Sequence, residues 1–170
     1  MTDLFSLVVD TGAYKIIKGD KDANRLSHAY LIITADQTFH DEYLKVFAQL
    51  ISDDNSTRTE SLINQKLHPD VIFLPKEKKK GEKATEVMVD DVDFLVSESV
   101  IKPIELKKKI FVIERVDRAK ERPQNKILKT LEEPPQNVHL ILGACADFTL
   151  LQTLKSRVKT LTIPTFNEQE

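Results

Sequence analysis

Five short runs of branched and aromatic residues set the strongest limit on how this chain can fold: HAYLIIT (28–34), DVIFL (70–74), KIFVIE (109–114), VHLILGA (138–144) and VKTLTI (158–163). They are apolar nearly throughout instead of alternating, the pattern of strands covered on both faces. The segments between them carry helical spacing. DEYLKVFAQLIS (41–52) follows the first run, VDDVDFLVSESVI (89–101) precedes the third, and PQNKILKTLEE (123–133) follows it, with Leu128 and Leu131 on one face and Pro123 in the first turn. Strand and helix in alternation specify an α/β architecture: a parallel sheet with helices on both sides, in three layers. With 170 residues, 41% of them hydrophobic, there is material for one sizeable core and so for one domain.

Two stretches stand outside that alternation. PKEKKKGEKATE (75–86) is charged and contains glycine, and is expected as an exposed hairpin or excursion; DDNSTRTES (53–61) is polar, lacks an apolar anchor, and is expected as a loop. At the end, IPTFNEQE carries acids that suggest a new helix starting. Residues 1–166 are therefore expected to form one domain, and 167–170 to open a further lid domain of a longer chain.

Composition excludes several classes of function. The formal net charge of −2 gives no global basic footprint for nucleic acid, but leaves room for local patches, and so neither argues for DNA nor excludes it. A single cysteine, Cys145, can form neither an internal disulfide nor a multi-thiolate zinc site, and His28, His40, His68 and His139 lack metal-ligand spacing. No metal and no cofactor are expected. The N-terminal segment has no basic leader, and no stretch reaches the roughly 20 apolar residues of a membrane span, so a cytoplasmic protein without membrane contact is expected.

The chemistry concentrates at the end of the third run. KKIFVIERVDRA (108–119) delivers Glu114 to the edge of the sheet. In nucleotide-hydrolysing α/β proteins such a strand ends in two acids, one holding Mg²⁺ and one readying water. Here the second position is Arg115. Taken with NKILKTLEEPP (125–135), RLSHAYLI (25–32), HPDV (68–71) and TLKSRVKTLTI (153–163), this string resembles the nucleotide-binding-fold domain of bacterial DNA polymerase III clamp-loader subunits, in one register from about residue 13 to residue 166. The resemblance implies a P-loop NTPase-like domain of the AAA+ class with a five-stranded parallel sheet. It also implies subunit partners and a role in placing the sliding clamp on primed DNA.

That family contains motor subunits that hydrolyse ATP and a δ′ subunit that in many bacteria does not. A phosphate-cradling loop needs glycines that let backbone N–H groups converge, a lysine for the terminal phosphates and a hydroxyl for Mg²⁺. In the matching segment TADQTFHD, Thr34 and Phe39 stand where the two glycines would be, His40 replaces the lysine and Asp41 the hydroxyl residue. Asp36 and Asp41 would also bring negative charge towards a polyphosphate. Arg115, if it pointed inward to about 5 Å from Mg²⁺ at an effective dielectric of about 20, would meet a repulsion of about 7 kcal/mol, and is expected to turn away. Ala144 and Cys145 end the fourth run where motor subunits resemble an alanine followed by phosphate-sensing threonines. The phosphate loop and the acid pair are thus expected to be degenerate.

What matches the family is KSRV (155–158). The resemblance implies that Ser156 and Arg157 belong to a Ser-Arg-Cys motif whose arginine enters the ATP site of the neighbouring subunit, with Val158 departing from the usual cysteine. Glu132 and Glu133 sit at the unfavourable end of a helix dipole, which asks for partners, in another subunit or within the chain. The interval 52–67 has no cysteine, so the four-cysteine zinc module of some relatives is excluded. The lysine cluster 76–83 holds Glu77 and Glu82 and no aromatic residue, which favours a solvated loop over a DNA contact.

The expectation is therefore a non-hydrolysing, δ′-type subunit. It would sit in a hetero-oligomeric ring with ATP-binding γ/τ subunits and δ, and would act on the sliding clamp and primed DNA only through that ring. The alternatives are an active ATPase motor subunit, which TADQTFHD opposes, and a DNA-binding module using the lysine cluster.

Overall fold

The computed structural model describes residues 3–76 and 86–166. Two helices, α1 (Leu4–Val9) and α2 (Gly12–Asp22), precede β1 (Ala29–Thr34). After these come α3 (His40–Ser52), α4 (Thr57–Asn64), β2 (Val71–Leu74), α5 (Val89–Ser99) and β3 (Lys109–Ile113). A single 3₁₀ turn at Val116–Arg118 leads to α6 (Glu121–Glu132), β4 (Val138–Ala144), α7 (Gln152–Lys155) and β5 (Lys159–Ile163). The five strands form one parallel sheet in the order β2-β3-β4-β1-β5. No helix among the described residues is long and apolar enough to cross a membrane.

The strands are apolar on both faces because each face has its own helical layer. Tyr30 and Ile32 of β1 pack with Ile110, Val112 and Ile141 beneath α1 to α4, against Ile17, Phe47, Ile51 and Ile63. Their neighbours Ala29 and Leu31 turn the other way, joining Phe111, Ile113, Leu140 and Leu142 under α5, α6 and α7, against Leu95, Ile127, Leu131 and Leu154. The period-two alternation of strand side chains thus divides one sheet between two cores. β5 departs from the expectation of strands covered throughout: it lies at the sheet edge, and Lys159, Thr160 and Thr162 are exposed.

Residues 53–61, expected as a loop, contain the start of α4. Ser56 caps it by accepting from the Thr59 N–H at 3.2 Å, and Thr59 and Ile63 supply the buried face. Its apolar anchor, Ile63, lies just beyond the polar run. α6 begins at Glu121 and stops before Pro134 and Pro135, with Pro123 in its first turn, where a missing N–H is harmless. Of the lysine-rich segment, residues 77–85 lie outside the described residues. Lys76 is described, with its ammonium 3.6 Å from the Phe94 ring centroid. Residues 167–170, expected to open a further domain, also lie outside them.

Candidate functional site

β1 ends at Thr34, and the chain turns through residues 35–39 into α3 at the carboxyl end of the sheet, the position of a phosphate loop in this topology. The local hydrogen bonds are made by Asp36. Its Oδ1 accepts from the backbone N–H of Thr38 at 2.9 Å and of Phe39 at 3.3 Å, and its Oδ2 from the Tyr43 hydroxyl at 2.8 Å. Two N–H groups at the entry to α3 are thereby satisfied by the chain's own carboxylate. Burial, and then Asp36 itself, push the Tyr43 hydroxyl well above the usual phenol range, so it remains a donor. Phe39 points outward and is half exposed.

His40, expected at the position of a phosphate-loop lysine, is not an exposed cation. Its ring is buried between α3 and β4, with Nδ1 3.9 Å from the Cys145 Sγ, and burial lowers its pKa to about 4. At neutral pH it is an uncharged imidazole. Gly143 makes room for it: a Cβ there would stand 2.5 Å from His40 Nε2 and 2.7 Å from Leu44 Cδ1. Gly143→Ala is expected to cost about 1–3 kcal/mol of folding stability, as overpacking does. In a His40→Ala background the part of that cost due to the imidazole should vanish while the contact with Leu44 remains, and denaturant melts of the four-member cycle measure this coupling.

The buried imidazole also sets a pH dependence. Unfolded, His40 takes a proton near pH 6.5; folded, it resists until about pH 4. The unfolded state therefore binds more protons in between, and stability falls as pH drops through that window, by about 3 kcal/mol in total. His139, lowered by burial, adds to the same slope. Asp117, whose pKa is lowered on balance, loses its contribution only at about pH 4 and below. Urea midpoints between pH 8 and 4.5 should show a slope shallower by about one proton in His40→Gln.

Asp41 and Glu114 converge on Lys66. Its ammonium forms an ion pair with the Glu114 carboxylate, lies 3.4 Å from Asp41 Oδ2, and stands 5.3 Å from the Phe73 ring centroid. Burial alone would lower the Lys66 pKa, but the two carboxylates, Glu114 foremost, raise it. Lys66 gets there through the end of α4. It adopts φ 58°, and the N–H groups of Lys66 and Leu67 bond back to the carbonyls of Ile63 and Leu62 at 3.0 and 2.8 Å, a Schellman closure built on lysine instead of glycine. Lys66 is hard to find from the sequence because the helix it follows is concealed by the polar run 53–61.

Arg115, also left-handed at φ 51°, folds back onto Asp117. Its Nε and Nη2 each donate at 3.0 Å to the two carboxylate oxygens, a bidentate pair. The Cys145 backbone N–H adds a longer bond to Asp117 at 3.3 Å. Burial would raise the Asp117 pKa, yet Arg115 and this N–H hold it below the usual carboxylate range. Asp117 also escaped the sequence reading, although acid two residues after arginine was its signal.

Thr34, His40, Asp41, Glu114, Arg115 and Cys145 are thus brought together at one end of the sheet. Ser156 and Arg157 are not. They lie between α7 and β5, at the amino end. Since β5 pairs with β1 so that Lys159 is level with Tyr30 and Ile163 with Thr34, the two ends are separated by four residues of strand, about 13 Å. Arg157 Nη1 donates to the Thr153 carbonyl at 3.0 Å, and Nη2 lies 3.1 Å from Glu132 Oε1 at the end of α6. Of the two kinds of partner left open for Glu132, the structure places one within the chain. Among the described residues no cluster of His, Cys, Asp and Glu is gathered as a metal ion would need.

No curated protein matches the chain. Among solved structures, a DNA polymerase III gamma subunit-related protein from Thermotoga maritima superposes with a TM-score of 0.68 at 19% identity. The match covers 90% of this chain and 47% of that one, so the chain spans about half the length of that protein, and at this identity the likeness shows the fold. The model of one family, described as DNA polymerase III, delta subunit, matches residues 9–167. The nearly complete span of that match places the chain in the DNA polymerase III delta subunit family.

Proposed function

We propose that the chain acts as a non-hydrolysing, δ′-type clamp-loader subunit, one that holds its place in the ring and offers Arg157 to the nucleotide of an adjoining ATPase subunit. The family gives the setting, subunits of the DNA polymerase III clamp loader. The observation that carries the finer reading is that each phosphate-site position is occupied from within: Asp36 takes the loop's N–H groups, a neutral His40 stands for the lysine, and Lys66 bridges Asp41 and Glu114. Mg²⁺ and a triphosphate do not fit residues arranged in this way. That Arg157 lies at the far end of the sheet from this site supports a role toward another subunit's nucleotide.

Equilibrium binding of labelled ATP to this chain, with and without Mg²⁺ and beside an intact P-loop protein, tests the reading. No binding at millimolar nucleotide is expected. Micromolar, Mg²⁺-dependent binding would overturn it in favour of an active motor subunit.

A further inference from the structure

Glu132 is the last residue of α6, where a carboxylate faces the negative end of the helix dipole. The arginine beside it offsets that cost, but the pair does more than neutralise. α6 is fixed to the sheet through Ile127 and Leu131, and to the segment before α7 through Gln124. That side chain donates to the carbonyls of Ala119 and Thr149 at 2.9 and 3.1 Å and accepts from the Leu151 N–H at 2.8 Å. Leu154 anchors α7 in the same core. Glu132 and the Thr153 carbonyl therefore grip the guanidinium from two immobile elements, while the Ser156 hydroxyl, itself bonded to Thr153, lies 3.5 Å from Nη1. The arginine side chain remains 37% exposed, so its head is held at the surface and not buried.

We propose that Glu132 is a positioning residue for Arg157: it holds the guanidinium in one orientation at the amino end of the sheet, ready for the terminal phosphate of a nucleotide on the adjoining subunit. This rests on the proposed function. A long side chain ordered in advance loses less freedom when it meets the phosphate, and the gain appears in the step where charge develops. An exposed ion pair of this kind adds little to folding, so its loss should leave the fold intact while the orientation of Arg157 changes.

The test uses the full-length chain in a reconstituted clamp loader, with single-turnover ATP hydrolysis at the adjoining site. Glu132→Gln is expected to lower the maximal rate about 3- to 10-fold with little change in the ATP concentration for half-saturation, and Glu132→Asp to recover part of it. In an Arg157→Ala background Glu132→Gln should have no further effect. If Arg157→Ala alone leaves hydrolysis unchanged, the proposed function of that arginine falls and this inference with it. Should Arg157→Ala slow the reaction while Glu132→Gln leaves it unchanged, speeds it, or slows it equally without Arg157, Glu132 is not a positioning residue.

Discussion

On the proposed function, Arg157→Ala in the full-length chain should slow hydrolysis at the adjoining ATP site by about 10³-fold, the lower part of the range for a guanidinium supplied in trans. The expected loss is in the rate of the chemical step, because in the proposed role the guanidinium would neutralise charge that grows on the γ-phosphate as the bond breaks. Arg157→Lys should recover little, since an ammonium on a flexible stem cannot reproduce the planar fork. Folding should be nearly unaffected, because the side chain is partly exposed and its partners lie on helices held by other contacts. Total ATP turnover of a ring with several sites would fall by much less, so the measurement is single-turnover hydrolysis at the adjoining site. An unchanged rate there would remove Arg157 from the mechanism, while the fold and family would stand.

The fold was legible because its strands are apolar on both faces and its helices amphipathic, and this pattern allows few arrangements besides a covered parallel sheet. The candidate site was legible only in part. Thr34, Phe39, His40, Asp41 and Arg115 can be read residue by residue against what a phosphate loop and an acid pair require. What those residues pair with cannot, because the partners come from elsewhere in the chain. Lys66 arrives through a left-handed closure of a helix that polar residues concealed, Gly143 matters only because its strand, β4, far along the chain from α3, passes the His40 ring, and Glu132 meets Arg157 across two helices. Each pairing depends on tertiary distance, to which local periodicity is blind.

The same limit applied to Asp70, where the sequence offered only the string HPDV and the structure gives a reason for it. The connection from α5 to β3, residues 100–108, is neither helix nor strand, so its backbone donors need acceptors from elsewhere. Asp70 is fully buried and supplies them: Oδ1 accepts from Ile104 N–H at 2.7 Å, and Oδ2 from Glu105 and Leu106 N–H at 2.6 and 2.8 Å. Its own N–H donates to His68 Nδ1 at 3.0 Å, and its carbonyl accepts from Ile110 N–H at 2.8 Å, which ties the start of β2 to β3. Asp70→Ala removes the acceptor of three N–H groups at once and should cost about 3–5 kcal/mol, or on the order of 10 °C in Tm for a domain of this size. Asp70→Asn should cost less, since an amide oxygen can keep the Oδ2 bonds while its NH₂ opposes the Ile104 donor. Because β3 is an interior strand buried along its whole length, the loss should be global and not a local fraying. Thermal melts with amide exchange separate the two: a lowered Tm with faster exchange across the sheet is expected. An unchanged Tm with exchange confined to residues 100–108 would mean that the crossover holds without its carboxylate.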